Sequence, residues 1–381
     1  MRKSLMTAGL AALVLTGATV GGGAVPASAA TGQPWRVTYV SPETGYDDFG
    51  LYDVAATGAN DAWAVGARQQ GAGGSGAILH WNGSGWAEVT IPGSTGSFNH
   101  VGGSSRTNVW VTGATADGAR TAWRWNGTSW TSVSTGAYDI ADVAALGPKN
   151  AWAVGNADEG SDVGQALHWN GTAWKTVAMP FVARKVGAVS AGDVWAVGEN
   201  SQQPLAAHWD GTSWKSSPLP TVPIPEGESG FSYFNDIVAL ASDNVWAVGR
   251  VVWGGGEELK AKELKAKQVK AQEAEHVQPV LMHWNGTKWR LHLGAEGDFA
   301  LSAGADGNGG IWYSSFNKTY VHVASDGTTT TVPVPTPAGR QTPEIRQLAG
   351  VPGGTSVLAV GEVAPAPGGD ESWDAVIEQY R

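Results

Sequence analysis

Asn60-Asp-Ala-Trp-Ala-Val-Gly66, followed by Leu79-His-Trp-Asn-Gly-Ser-Gly-Trp86, forms a pair of phrases that the chain repeats, and that repetition decides the fold. The first phrase returns as Thr107-Asn-Val-Trp-Val-Thr-Gly113, Lys149-Asn-Ala-Trp-Ala-Val-Gly155, Ala191-Gly-Asp-Val-Trp-Ala-Val-Gly198 and Ser242-Asp-Asn-Val-Trp-Ala-Val-Gly249. The second returns as Trp123 to Trp130, Leu167 to Trp174, Ala207 to Trp214 and Met282 to Trp289. Two degenerate copies follow: Gly309-Gly-Ile-Trp312 with Val321 to Gly327, and Val357-Leu-Ala-Val-Gly361 with Ala375 to Tyr380. Each copy reads as four short strands, alternating or wholly apolar, punctuated by Gly, Asn, Asp and Pro. In the third copy these are Ile140 to Ala145, Ala151 to Val154, Ala166 to Trp169 and Trp174 to Ala178. Asn82-Gly83, Asn126-Gly127, Asn170-Gly171, Asp210-Gly211 and Asn285-Gly286 supply the hairpin turns between the third and fourth strands.

Seven four-stranded antiparallel blades predict an all-β, seven-bladed β-propeller. The seventh copy lacks a fourth strand, and Thr31-Gly-Gln-Pro-Trp35 near the other end matches Asp210-Gly-Thr-Ser-Trp214. The N-terminal segment Trp35 to Val40 is therefore expected to pair beside Ala375 to Tyr380, so that both ends build the last blade and no sheet edge is left free.

Composition agrees with a folded β-repeat protein. The 381 residues include 54 Gly and 20 Trp and no Cys, which excludes disulfide-stapled, collagen-like and disordered classes. Arg2 and Lys3, the apolar run Leu5 to Val20 and Ala27-Ser28-Ala29 form the pattern of a secretory signal over residues 1–29, with the propeller occupying 30–381. No second apolar segment follows, so no membrane span is expected. Without Arg2 and Lys3 the balance moves from 24 Lys and Arg against 34 Asp and Glu to 22 against 34, a net charge of −12. An extracellular, acidic chain of this kind has no basic footprint for nucleic acid.

Repeat-equivalent residues read as packing. Trp35 and the Trp of every phrase are expected between blades; His80, His168, His208, His283 and His322 share one repeat position and do not predict a metal cluster. Only His100, His276 and His292 stand apart, each isolated from a second ligand in sequence. No nucleophile elbow, zinc pair, phosphate loop or clustered carboxylate is present, so no catalytic residue, cofactor or metal is assigned and the chain is read as a non-enzyme. The Asn-Gly-Ser/Thr tripeptides match a glycosylation pattern but are better explained as turns.

The long, irregular connections all join strand two to three or strand four to the next blade, which places them on one face. They are Ser41 to Gly50, Pro218 to Asn235, Val252 to Pro279 and Glu362 to Asp374. Function on repeat scaffolds concentrates on such a face. Tyr46, Phe49, Phe231, Tyr233, Phe234, Trp253 and Trp373 are its candidate ligand or target contacts; among the indoles, Trp123, Trp253 and Trp373 lie outside the repeat pattern and are the better contact candidates. Residues 254–278 form an arm inserted in blade 5, with Lys260, Lys262, Lys265, Lys267 and Lys270 among alternating Glu, Ala and Leu. Helix is the local preference, with Glu258 and Lys262 four apart; a protruding β-hairpin is the alternative. Leu259, Lys260, Lys262, Leu264, Lys265, Lys267, Val269 and Lys270 are assigned to partner binding, their charge suiting an acidic groove.

The Trp-Ala-Val-Gly and His-Trp-Asn-Gly-Thr-Ser-Trp phrases, the signal and the single arm in blade 5 resemble the secreted actinobacterial propeller, the lectin-like subunit of the umbrella toxin particles. The resemblance implies a place at a spoke tip, with the arm engaging a small adaptor subunit and the helical-repeat toxin subunit in competition between bacteria. A cell-surface glycan is then a further candidate partner. A stand-alone extracellular lectin is the alternative reading.

Overall fold

The computed structural model describes residues 34–42, 48–70, 73–92, 94, 96–115, 117–136, 138–157, 164–200, 202–254, 276–368 and 372–381. They form seven sheets of four antiparallel strands, in chain order within six of them. In the seventh, Trp35–Val40 lies outside Asp374–Tyr380, which pairs with Val357–Val363 and then Glu344–Gly350. Trp35 faces Tyr380 and Val40 faces Val376. The first strands of successive blades touch one another around the whole ring, blade 7 against blade 1 included, so they surround a central axis. The chain is a seven-bladed propeller closed by its own N-terminal strand, as the repeats predict.

Four further bonds reinforce the closure. The Ser41 hydroxyl donates to Asp374 (3.1 Å) and accepts from the Ala375 amide (3.0 Å). The Trp373 amide donates to the Asp48 carboxylate at 3.0 Å and its carbonyl accepts from the Phe49 amide at 2.8 Å, tying blade 7 to blade 1.

The Trp repeats build the interfaces between blades. Trp63 of blade 1 meets Trp125 and Trp130 of blade 2; Trp110 meets Trp169 and Trp174; Trp152 meets Trp209 and Trp214; Trp195 meets Trp284 and Trp289. Trp312 of blade 6 meets Trp35 and Tyr380 of blade 7. Several contacts are edge-to-face, the geometry that the indole quadrupole favours. Behind each strand-two indole lies the repeated His: His80 stacks on Trp63 at 4.0 Å and bonds to Asp61 at 2.8 Å. His168, His208, His283 and His322 do the same with Asn150, Asp193, Asn244 and Asp306. In blade 2 the cation Arg124 takes that place, donating to Asn108 at 3.0 Å. These histidines are spacers that orient a core ring, and the repeat reading of them holds.

The Asn-Gly turns have the expected strain relief. Gly83, Gly127, Gly171, Gly211 and Gly286 take φ between 87° and 99°, the left-handed region open to glycine. The Asn82 side-chain oxygen accepts the amides of Ser84 and Gly85, and the equivalents Asn126, Asn170, Asp210 and Asn285 accept alike. Asp210 in the same geometry shows that the oxygen is what the turn needs.

Candidate binding face

Antiparallel order puts the long connections on one end of the propeller, here the loop face, and the tight turns on the other, the turn face. On the loop face blade 5 rises above its neighbours. Its first strand runs Gly230–Ala241, its second Asn244–Trp253 and its third His276–Trp284. Ladder pairing continues to Gly230 opposite Trp253 and Trp253 opposite His276. Several positions read as loop are therefore strand, because alternation over Phe231-Ser232-Tyr233-Phe234 lets the sheet continue past the usual blade.

That extension sorts the candidate contacts into two sets. Phe234 and Trp253, at 3% and 8% exposure, turn inward onto Val251 and Val222 and pack under the connection from blade 4. Phe49 is also buried: the Arg68 guanidinium lies 4.1 Å over its ring and forks onto Glu88 at 2.7 and 2.9 Å. Trp123, outside the repeat pattern, is core as well, edge-on to Phe98 at 5.3 Å. These four are corrected from contact candidates to packing residues. Trp373 is half-buried in the seam between blades 7 and 1.

Phe231 and Tyr233 are only half-buried. Their rings are parallel at 5.9 Å on the side of the extension facing blade 6. The Arg250 guanidinium sits 4.8 Å from the Tyr233 ring and 4.2 Å from that of Phe299, and Phe299 stacks on Phe316 at 4.8 Å. Phe316, 39% exposed, lies in the strand-two-to-three turn of blade 6 and was not foreseen. The result is a stack of aromatic, cation, aromatic and aromatic, with Phe231, Tyr233 and Phe316 open at its edges. Tyr46, with the eight arm residues Leu259, Lys260, Lys262, Leu264, Lys265, Lys267, Val269 and Lys270, lies outside the described residues. The arm as bounded at 254–278 is shortened by the structure, since His276, Val277 and Gln278 belong to a strand.

The axis carries a second cluster that the sequence reading missed. After a bulge in each first strand comes one side chain per blade: Asp53, His100, Asp142, Lys185, Asp236, Ser302 and Gln347. Except in blade 7, each stands ten residues before the blade's strand-two Trp, an offset that would have found them. The carboxylates staple neighbours: Asp53, Asp142 and Asp236 accept at 2.9 Å from the amides of Val101, Val186 and Ala303 in the next blade. Asp236 also accepts from Ser302 and from Gln347, each at 2.9 Å.

His100 is not isolated in space. It lies with Asp53 and Asp142, their ligand atoms within 4.8 Å of one another. Burial, reinforced by Lys185, drives its imidazole down to about 3, so the ring is neutral. Burial pushes Asp53 up to about 7, against the pull of Lys185. Burial also raises Asp236. For Lys185 burial disfavours the charge, but Asp142, Asp236 and Asp53 outweigh it and raise the ammonium further. Lys185 is thus the cation of this ring, and a metal ion there would have to bear its repulsion.

These features define the class: a seven-bladed propeller with one elaborated face. No protein-family model matches the chain, and no curated protein matches it. Among solved structures it is similar to YCF48 bound to D1 peptide, with 12% identity over 91% of this chain and 97% of that one, TM-score 0.55. It is similar also to Kuenenia stuttgartiensis hydrazine synthase (9%, 86% and 98%, TM-score 0.56) and to the WD40 propeller domain of Doa1 (10%, 90% and 96%, TM-score 0.53). At such identities the likeness is one of fold. No helix among the described residues is long and apolar enough to cross a membrane.

Proposed function

We propose that this chain is a secreted, non-enzymatic binding propeller that works as the lectin-like subunit of a multiprotein antibacterial toxin particle. Partners would be held through the blade 5 arm, and the Phe231, Tyr233 and Phe316 platform would face the target. The observation that carries the reading is the raised blade 5: three lengthened strands lift the chain to Gly254 and receive it back at His276, beside the one aromatic platform found on that face among the described residues. Export rests on the signal pattern of residues 1–29. The five lysines between 260 and 270 suit an acidic partner surface, an attraction that salt weakens.

The test is recovery of the tagged full-length protein from its native culture supernatant, beside a variant with residues 255–275 replaced by a short Gly-Ser turn. Co-purification of a small adaptor and a large helical-repeat subunit with the wild type only is the expected result. Equal recovery by both forms would remove the arm from the interface. The lectin reading draws on the same half-buried platform, and a glycan array with Tyr233→Ala separates the two. Strong saccharide binding by the propeller alone, lost in that variant, favours the lectin.

A further inference from the structure

On the turn face, the interface between blades 7 and 1 departs from the others. Wherever blades 1 to 4 meet the next, a strand-two indole covers the paired indoles that flank the neighbour's outer turn, and Trp312 covers Trp35 and Tyr380 in the same way. Blade 1 offers the pair Trp81 and Trp86, 5.9 Å apart, but blade 7 presents Leu358 where the covering Trp belongs. The rest of the repeated constellation is missing as well. Gln379 pairs with Leu358 where the others have His or Arg, and Ser356 stands where blades 1 to 5 have Asp or Asn. Trp81 and Trp86 make ring contacts only with each other among the described residues.

What the missing indole leaves is a cleft. It is shallow and open to solvent, lined by Trp81, Trp86, Leu358, Val351, Thr38 and Gln379. The Gln379 side-chain oxygen accepts from the Arg381 guanidinium at 2.9 Å, while its amide nitrogen has no acceptor among the described residues. Arg36, exposed on the outer strand, pairs with Gln379 across the ladder. Neither Arg36 nor Arg381 makes an ion pair among the described residues. The uncovered indole pair therefore lies beside an amide donor, Gln379, that is itself flanked by two guanidiniums, groups that favour a carboxylate next to a bound ring.

We propose that this cleft is a binding site for an aromatic side chain carried on an acidic peptide segment of a partner. The occupant is argued from the molecule itself, because equivalent space between other blades is filled by an indole from within the chain. The cleft continues that ring of interfaces, and its rim charge complements an acidic flank. The site lies on the face opposite the blade 5 arm and stands or falls independently of the toxin-particle reading.

The test uses the full chain and fluorine NMR of N-acetyl-5-fluorotryptophan, which has both ring and carboxylate, beside its uncharged methylamide. Saturable broadening by the wild type is expected, with the methylamide several-fold weaker and the difference lost in Arg36→Gln/Arg381→Gln. Leu358→Trp, which fills the cleft with the chain's own indole, should weaken binding at least tenfold while the thermal transition is kept or raised. Should that variant not fold, Trp81→Leu serves for the same loss. No saturable binding by the wild type, or unchanged binding by a folded Leu358→Trp, overturns the proposal. Equal binding of acid and methylamide overturns the acidic segment, and displacement of the probe by methyl glycosides would assign the cleft to carbohydrate instead.

Discussion

Glu378 is wholly buried in the third strand of blade 7, where the Tyr320 hydroxyl of blade 6 donates to it at 2.8 Å. Burial pushes its carboxyl up to about 8, against the pull of that hydrogen bond. An unfolded Glu titrates near 4.3, so between about 4.3 and about 8 the native state holds a proton that the unfolded chain has released. Stability from this group is complete below that window and is lost as pH rises through it. Glu378→Gln keeps a neutral acceptor for Tyr320 and removes the titration. Urea unfolding should show little change at pH 5 and a variant more stable by about 1–3 kcal/mol at pH 9. A variant that loses stability with pH as steeply as the wild type would show that Glu378 is ionised in the fold.

At the scale of elements, the N-terminal strand is the fastening. Trp35 is 1% exposed and stacks on Tyr320 at 3.8 Å, so the strand supplies both a sheet edge and part of the interface between blades 6 and 7. Deleting residues 31–42 should cost soluble protein or the single cooperative unfolding transition, read by calorimetry; a deletion mutant with the wild-type transition would show that the ring closes without it. The arm predicts the opposite behaviour. Trp253 and His276 already face each other in register with stacked rings 5.3 Å apart, so a short turn can join the strands. Replacing residues 255–275 should leave Tm within a few degrees, and a fall of more than about 10 °C would mean that the arm packs on the blades.

For the whole molecule the axial ring matters most, because its side chains join all seven blades in one electrostatic unit. Lys185 holds Asp53, Asp142 and Asp236 against their mutual repulsion. Asp53 and Asp236 are raised by burial, so their share of stability, like that of Glu378, declines as pH climbs, for Asp53 through about 7. Lys185→Met removes the cation that offsets this decline. The Tm deficit of the variant should accordingly be larger at pH 8, above the raised value of Asp53, than at pH 5. Equal deficits at the two values would show that Lys185 acts through its packing alone.

The local sequence determined the blades, their number and their closure, because strand alternation, Gly at left-handed turns and a recurring Trp are short-range requirements that every copy must meet separately. It also placed Phe231 and Tyr233 on the loop face. Only the tertiary structure decided which non-repeat aromatics are covered: Phe49 lies under Arg68, and Phe234 and Trp253 are buried because blade 5 continues as sheet where its composition reads as loop. Only the ring geometry brought His100 to Asp53 and Asp142, and turned Leu358, an unremarkable apolar residue in its strand, into the wall of a cleft. Contacts between blades join residues that sequence separates by whole repeats, and their outcome depends on what the neighbouring blade presents.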